Sequence, residues 1–64
     1  MLALLRSPIP IGTHVELRGL QAKPEMNGHQ GVVIGFDGAS GRCKVEIEEG
    51  GGSFKLKPRN LKRI

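Results

Sequence analysis

Residues 19–36, GLQAKPEMNGHQGVVIGF, join a polar segment rich in turn-forming residues to the most apolar run of the chain. Asn27-Gly28 is a pair that readily adopts the positive φ of tight turns. Gly31 lies directly before the apolar run and Gly35 within it, and glycines in a strand indicate a bulge or a sharp bend. The stretch therefore predicts a long loop that closes in a turn and leads into a buried strand.

The predicted loop covers residues 19–28 and the predicted strand covers residues 31–37. Successive side chains of a strand point to opposite faces. Simple alternation therefore places Val32, Ile34 and Phe36 together on one face of this strand.

Three further segments alternate apolar and polar residues with a period of two, which indicates half-buried strands. They are residues 13–18 (THVELR), 42–48 (RCKVEIE) and 53–57 (SFKLK). Alternation places Thr13, Val15 and Leu17 together on one face of the first segment. It places Cys43, Val45 and Ile47 inward on the second segment, and Phe54 and Leu56 inward on the third. Turn-forming residues separate the predicted strands 31–37, 42–48 and 53–57. They are DGASG at 37–41 and EGGGS at 49–53. Proline ends the fourth strand because it lacks an N–H donor. PRNL at 58–61 predicts one 3₁₀ turn before a short last strand, LKRI.

Five short strands, a long first loop, two tight hairpins and a 3₁₀ turn predict an all-β domain. We expect a small five-stranded SH3-like barrel over residues 12–64, because closure hides the edges of a short sheet. The alternative is a three-stranded meander with disordered ends. Residues 1–11 are expected to form an extended N-terminal arm. Its apolar side chains either dock on a partner or belong to a frayed terminus.

The composition restricts both the core and the chemistry. With 64 residues and only two aromatic side chains, the chain predicts one small domain with an aliphatic core. A single cysteine, Cys43, excludes an internal disulfide and a multi-cysteine zinc site. We expect Cys43 to be a buried small side chain. The reducing interior of a cell, either cytoplasm or plastid stroma, is the expected compartment. The apolar start, residues 1–5, is too short to span a bilayer, so no membrane insertion is expected.

No catalytic or cofactor-binding pattern is visible in the sequence. His14 and His29 are far apart and lack the spacing of metal ligands. The glycines do not form a phosphate-binding loop. The sequence therefore predicts a protein that is not an enzyme and that carries no cofactor or metal.

The long loop is the first candidate binding surface, since loops on a rigid scaffold often carry recognition. Its candidate partner-binding residues are Lys23, Glu25, Met26 and His29. The alternative for Met26, together with Leu20, is that both side chains plug one open end of the barrel.

Two further polar residues, Asn60 and Arg42, are expected to interact through their side chains. Asn60 is expected to bond backbone groups and fix its turn. Arg42 either pairs with Asp37 or Glu25 or faces a ligand.

Basic residues form the second candidate surface. The formal net charge is +4, and every carboxylate side chain lies at or before Glu49. Such asymmetry favours an anionic partner, including RNA. The candidate anion-binding residues are Lys44, Lys55, Lys57, Arg59, Lys62 and Arg63. No exposed aromatic is expected for base stacking, so sequence-specific reading of RNA is not expected.

The ordered pattern G-L, P-E-x-N-G, G-x-V, G-R-x-x-V and K-P-x-N-L resembles a short SH3-like module of algal and other eukaryotic proteins. The matching positions are Gly19, Leu20, Pro24, Glu25, Met26, Asn27, Gly28, Gly31, Val33, Gly41, Arg42, Val45, Lys57, Pro58, Asn60 and Leu61. The step from Gly31 to Val33 is also similar to the KOW element of ribosomal and transcription-elongation proteins, which bind RNA or a polymerase. Size and strand order are similar to the E subunit of photosystem I, a barrel on the stromal surface.

These patterns together predict a non-catalytic interaction module that docks on a partner protein or a larger complex. The first alternative is sequence-tolerant binding of RNA or ribonucleoprotein through the basic residues near the C-terminus. The second alternative is a peripheral subunit of a photosynthetic or other membrane-bound assembly.

Overall fold

The computed structural model describes residues 8–64 as one antiparallel sheet of five strands, in the order β4-β3-β2-β1-β5. The strands are β1 (His14–Leu17), β2 (Gln30–Asp37), β3 (Arg42–Ile47), β4 (Ser53–Leu56) and β5 (Leu61–Arg63). Two 3₁₀ turns occur, at Pro24–Met26 in the long loop and at Pro58–Asn60 before β5. The predictions of an all-β domain, of five strands and of a 3₁₀ turn before the last strand are confirmed. The turn at Pro24–Met26 was not predicted.

The sheet is open, so the prediction of a closed barrel is wrong in this respect. Within residues 8–64, β4 pairs only with β3, and β5 pairs only with β1. Immediately after β4 the chain turns through Pro58–Asn60, and Leu61 comes to lie opposite Leu17. Proline cannot donate to a ladder, which explains why β4 ends just before Pro58. The three-stranded meander is excluded as well, because β1 pairs with both β2 and β5.

A bulge in β2 changes which of its side chains face the core. Val33 lies opposite Val45, but Gly35 lies opposite Lys44, so Ile34 is an extra residue on β2. The bulge suggested by the glycines is therefore confirmed. The bulge also means that Val32, Ile34 and Phe36 do not share one face, as simple alternation predicted. Ile34 is 41% exposed, whereas Val33 is fully buried and Phe36 packs against the core.

The core is aliphatic and lies on one face of the sheet. Its buried members are Ile9, Val15, Leu17, Val33, Cys43, Val45, Ile47 and Leu61. The inward alternation predicted for β1 and β3 is confirmed, and so is the burial of Cys43. Ile9 belongs to the segment predicted as an arm, yet it lies in the core, and the Arg63 guanidinium donates to the Pro8 carbonyl at 3.2 Å. Residues 1–7 of the predicted arm lie outside the described residues.

Gly31 allows the close approach of β2 and β3. A Cβ atom at this position would lie 2.5 Å from the Glu46 carbonyl oxygen and 2.9 Å from Cγ1 of Val45. A side chain of any size would therefore push the two central strands apart. This is the physical reason for a glycine directly before the apolar run.

Candidate docking groove

The long loop between β1 and β2 is held in one shape by the side chain of Asn27. Its Oδ1 accepts a hydrogen bond from the Leu20 amide at 2.9 Å, and its Nδ2 donates to the Leu20 carbonyl at 3.2 Å. Asn27 has φ −60° and ψ 134°, Gly28 has φ +90°, and the His29 amide donates to the Met26 carbonyl. These are the features of a type II turn, which requires positive φ at its third residue. Asn27-Gly28 thus supplies the predicted turn.

The base of the loop is tied to the sheet and to the second 3₁₀ turn. Leu17 accepts from the Gly28 amide and donates to the His29 carbonyl, both at 2.8 Å. At the other end, the Asn60 side chain donates to the Arg18 carbonyl at 2.9 Å, and the Arg18 amide donates back to the Asn60 carbonyl. The predicted structural role of Asn60 is confirmed.

A groove of about 720 Å³ runs between this loop and the segment that contains β4 and the second 3₁₀ turn. We call it the docking groove. Its apolar lining residues are Leu17, Leu20, Ala22, Met26, Phe54 and Leu56. Leu20 and Met26 are partly buried and pack against the core. The volume lies within the range of ligand-binding clefts.

The charged side chains that line the docking groove are all cationic. They are Lys23, Arg42, Lys55, Lys57 and Arg59, and no lining residue within 8–64 carries a carboxylate. The Lys23 ammonium lies 4.9 Å from the centroid of the Phe54 ring, a cation–π contact that covers one face of the ring. The groove therefore combines an apolar floor with a cationic rim.

Asp37 neutralises one of these cations from outside the groove. Its Oδ2 lies 3.2 Å from the Lys55 ammonium and also accepts from the Ser40 hydroxyl. The hydrogen bond from Lys55, with those from Ser40 and the Ala39 amide, lowers the pKa of the Asp37 carboxyl. The predicted pair between Asp37 and Arg42 is not formed. Arg42 has no ion pair within the described residues and instead lines the groove.

Only some residues of each predicted binding set line the docking groove. Lys23 and Met26 line the docking groove, whereas Glu25 and His29 do not. Of the six predicted anion-binding residues, three line it, namely Lys55, Lys57 and Arg59, and three lie elsewhere, namely Lys44, Lys62 and Arg63. Sequence reasoning missed Phe54 as a groove residue, because alternation places it inward but does not reveal that β4 is an edge strand. Binding by any of these residues stays a prediction.

Within residues 8–64, no group of three or more His, Cys, Asp or Glu side chains is placed to hold a metal ion. The His14 ring lies 3.7 Å from the Glu48 carboxylate, and both side chains are exposed. The same part of the chain contains no helix of the length and apolar character needed to cross a membrane.

Comparison with models of known protein families, with curated proteins and with solved structures finds no match.

Proposed function

We propose that this domain is a non-catalytic interaction module that docks on a protein partner through the docking groove. The observation that carries the proposal is the combination of an apolar floor, a cationic rim and a loop held by side-chain hydrogen bonds. The long first loop, the two tight hairpins and the 3₁₀ turn before β5 support an SH3-like topology with an open side.

The groove is suited to a partner for three physical reasons. The partly buried side chains of Met26, Phe54 and Leu56 still expose apolar surface, whose burial stabilises by about 25 cal/mol per Å². The hydrogen bonds of Asn27 and Asn60 fix the wall of the groove before binding, which lowers the ordering cost of association. The cationic rim speeds encounter with an anionic partner and disfavours a cationic one.

RNA binding is the second candidate, and the five cations of the groove favour it. Two observations weigh against it. The Lys23 ammonium already covers a face of the Phe54 ring, so this ring is a poor platform for base stacking. The basic residues Lys62 and Arg63 lie on β5, at the opposite edge of the sheet from β4, so they do not extend the path of the groove for a phosphate backbone.

A comparative pull-down from an extract of cells that express the protein tests the proposal. The bait is the wild-type chain, the double variant Lys57→Glu/Arg59→Glu, or the control Lys62→Glu/Arg63→Glu on β5, the opposite edge of the sheet. Both double variants change the net charge equally, but only the first changes the groove. Each bait is used at low and moderate salt, with and without nuclease.

Docking predicts a discrete set of proteins that survives nuclease, is lost from the groove variant and is retained by the control. Loss of all captured material after nuclease treatment would instead support RNA binding. Equal capture by the three baits would contradict any role of the groove.

A further inference from the structure

Resting on the proposed function, we infer that the partner is an extended peptide of alternating apolar and acidic residues that pairs with the free edge of β4. The docking groove lies along this edge, because four consecutive residues, Phe54 to Lys57, line it. A groove over one face of a strand would be lined by alternate residues only. β4 is also a terminal strand of the sheet within residues 8–64.

The backbone of β4 has hydrogen-bonding groups that find no partner among residues 8–64 and are open to such a peptide. The Ile47 amide donates to the Gly52 carbonyl at 2.8 Å at the end of the β3–β4 hairpin. Antiparallel pairs alternate between bonded and non-bonded positions. In the observed register, Glu46–Ser53 and Lys44–Lys55 are then the non-bonded pairs.

The N–H and C=O groups of Ser53 and Lys55 therefore point away from β3 and toward the open side of the sheet. An extended chain placed there can accept and donate at both residues. This is the geometry of strand addition, in which the main chain supplies affinity and alternate side chains supply specificity.

The side chains along the edge define the chemistry of that peptide. Phe54 and Leu56 face the core side, next to Leu20 and Met26, so residues opposite them are expected to be apolar. Lys55 and Lys57 lie on the other face. Asp37 already pairs with Lys55, so it is Lys57 that favours acidic residues on this face of the peptide.

The cations at the end of the strand add to this preference. Lys57 and Arg59 have no carboxylate partner within the described residues, so both can form an ion pair with a carboxylate of the ligand. A peptide with basic residues in the same places would meet a rim of like charge.

Fluorescence anisotropy with synthetic peptides tests this inference on the whole chain. The probe is a labelled peptide of about six residues that alternates valine and glutamate, a usual length for a strand. Three comparison peptides change one property each: lysine replaces glutamate, the same residues are reordered into an apolar half and an acidic half, or alternate backbone amides are N-methylated. A short oligouridylate is the nucleic-acid probe.

Strand addition predicts that N-methylation weakens binding about tenfold, through loss of main-chain hydrogen bonds. Reordering is expected to weaken it similarly, and the lysine peptide is expected not to bind. Lys57→Glu/Arg59→Glu should weaken binding of the alternating peptide about tenfold, whereas Lys62→Glu/Arg63→Glu, on the opposite edge of the sheet, should change it less than about twofold. Retained folding of both variants is checked by circular dichroism.

The contrary results separate this inference from the proposed function. Equal binding of the N-methylated and unmodified peptides would overturn strand addition and leave docking in the groove intact. Tighter binding of oligouridylate than of any peptide would overturn the inference in favour of RNA. Absence of peptide binding would overturn it too, and would leave Lys55 and Lys57 as charges that protect an edge strand. In that case the proposed docking function is still tested independently by the pull-down.

Discussion

Replacement of Gly31 by alanine is expected to destabilise the domain, and more so than the same replacement of Gly35, the other glycine of β2. The new Cβ atom would lie 2.5 Å from the Glu46 carbonyl oxygen, whereas real Cβ contacts essentially never fall below 3.0 Å. The obstructing atom belongs to the backbone of β3, next to the pair formed by Gly31 and Ile47. It cannot rotate away as a side chain would, so the two strands must separate by about 0.5 Å or more.

The magnitude follows from the balance of two effects. Overpacking of this kind costs about 1–3 kcal/mol. Replacing glycine by alanine also stabilises the folded state by about 0.4–1 kcal/mol, because it lowers the conformational entropy of the unfolded chain. The difference is a net loss of about 0–2.6 kcal/mol, with a central value of about 1.3 kcal/mol, against a total stability of about 3–10 kcal/mol for a chain of this length. At the central value the fall in Tm is about 5–10 °C.

Urea unfolding followed by far-ultraviolet circular dichroism measures this difference, since the chain has no Trp or Tyr for intrinsic fluorescence. Gly35→Ala is the matched control in the same strand. Its Cβ would lie 3.7 Å from Cβ of Lys44, an ordinary contact, so the Gly35→Ala protein should be as stable as wild type or more stable by up to about 1 kcal/mol. Equal stability of the Gly31→Ala and Gly35→Ala proteins would refute the close-approach argument.

Three further predictions concern the loop, the exposed ion pair and the thiol. Asn27→Ala removes two hydrogen bonds to Leu20 and should cost about 1–2 kcal/mol in urea unfolding, with faster amide exchange in the long loop. Asp37 has a lowered pKa in the folded state, so its pair with Lys55 stabilises the domain above the carboxyl's ordinary value of 3.8 and is lost as the pH falls through the lower folded value. Asp37→Asn should therefore flatten the acid limb of a plot of stability against pH. The Cys43 thiol is fully buried, so a maleimide reagent should label it only as fast as the domain opens, and at once in denaturant.

Each of these expectations has a result that would contradict it. Unchanged amide exchange in the Asn27→Ala loop would mean that backbone bonds alone hold its shape. An acid limb that is identical in the Asp37→Asn protein would show that other carboxyls govern acid unfolding. Rapid labelling of Cys43 in native buffer would contradict its burial.

The sequence by itself determined the local features of this protein. Alternation predicted the inward residues of β1 and β3, including Cys43, because a strand repeats every two residues whatever surrounds it. The two glycines of β2 predicted its bulge, and Asn60 was correctly expected to bond backbone. All of these depend on the conformational preferences of a few neighbouring residues.

Only the tertiary structure decided how those elements meet. Whether β4 reaches β5 depends on the summed twist and register of the whole sheet, and the sheet stays open. The partner of Asp37 is Lys55 rather than Arg42, because the β3–β4 hairpin folds Lys55 back beside the start of the preceding turn. The docking groove unites Lys23 with Phe54, two residues far apart in the chain, and no local pattern reports a distance across space.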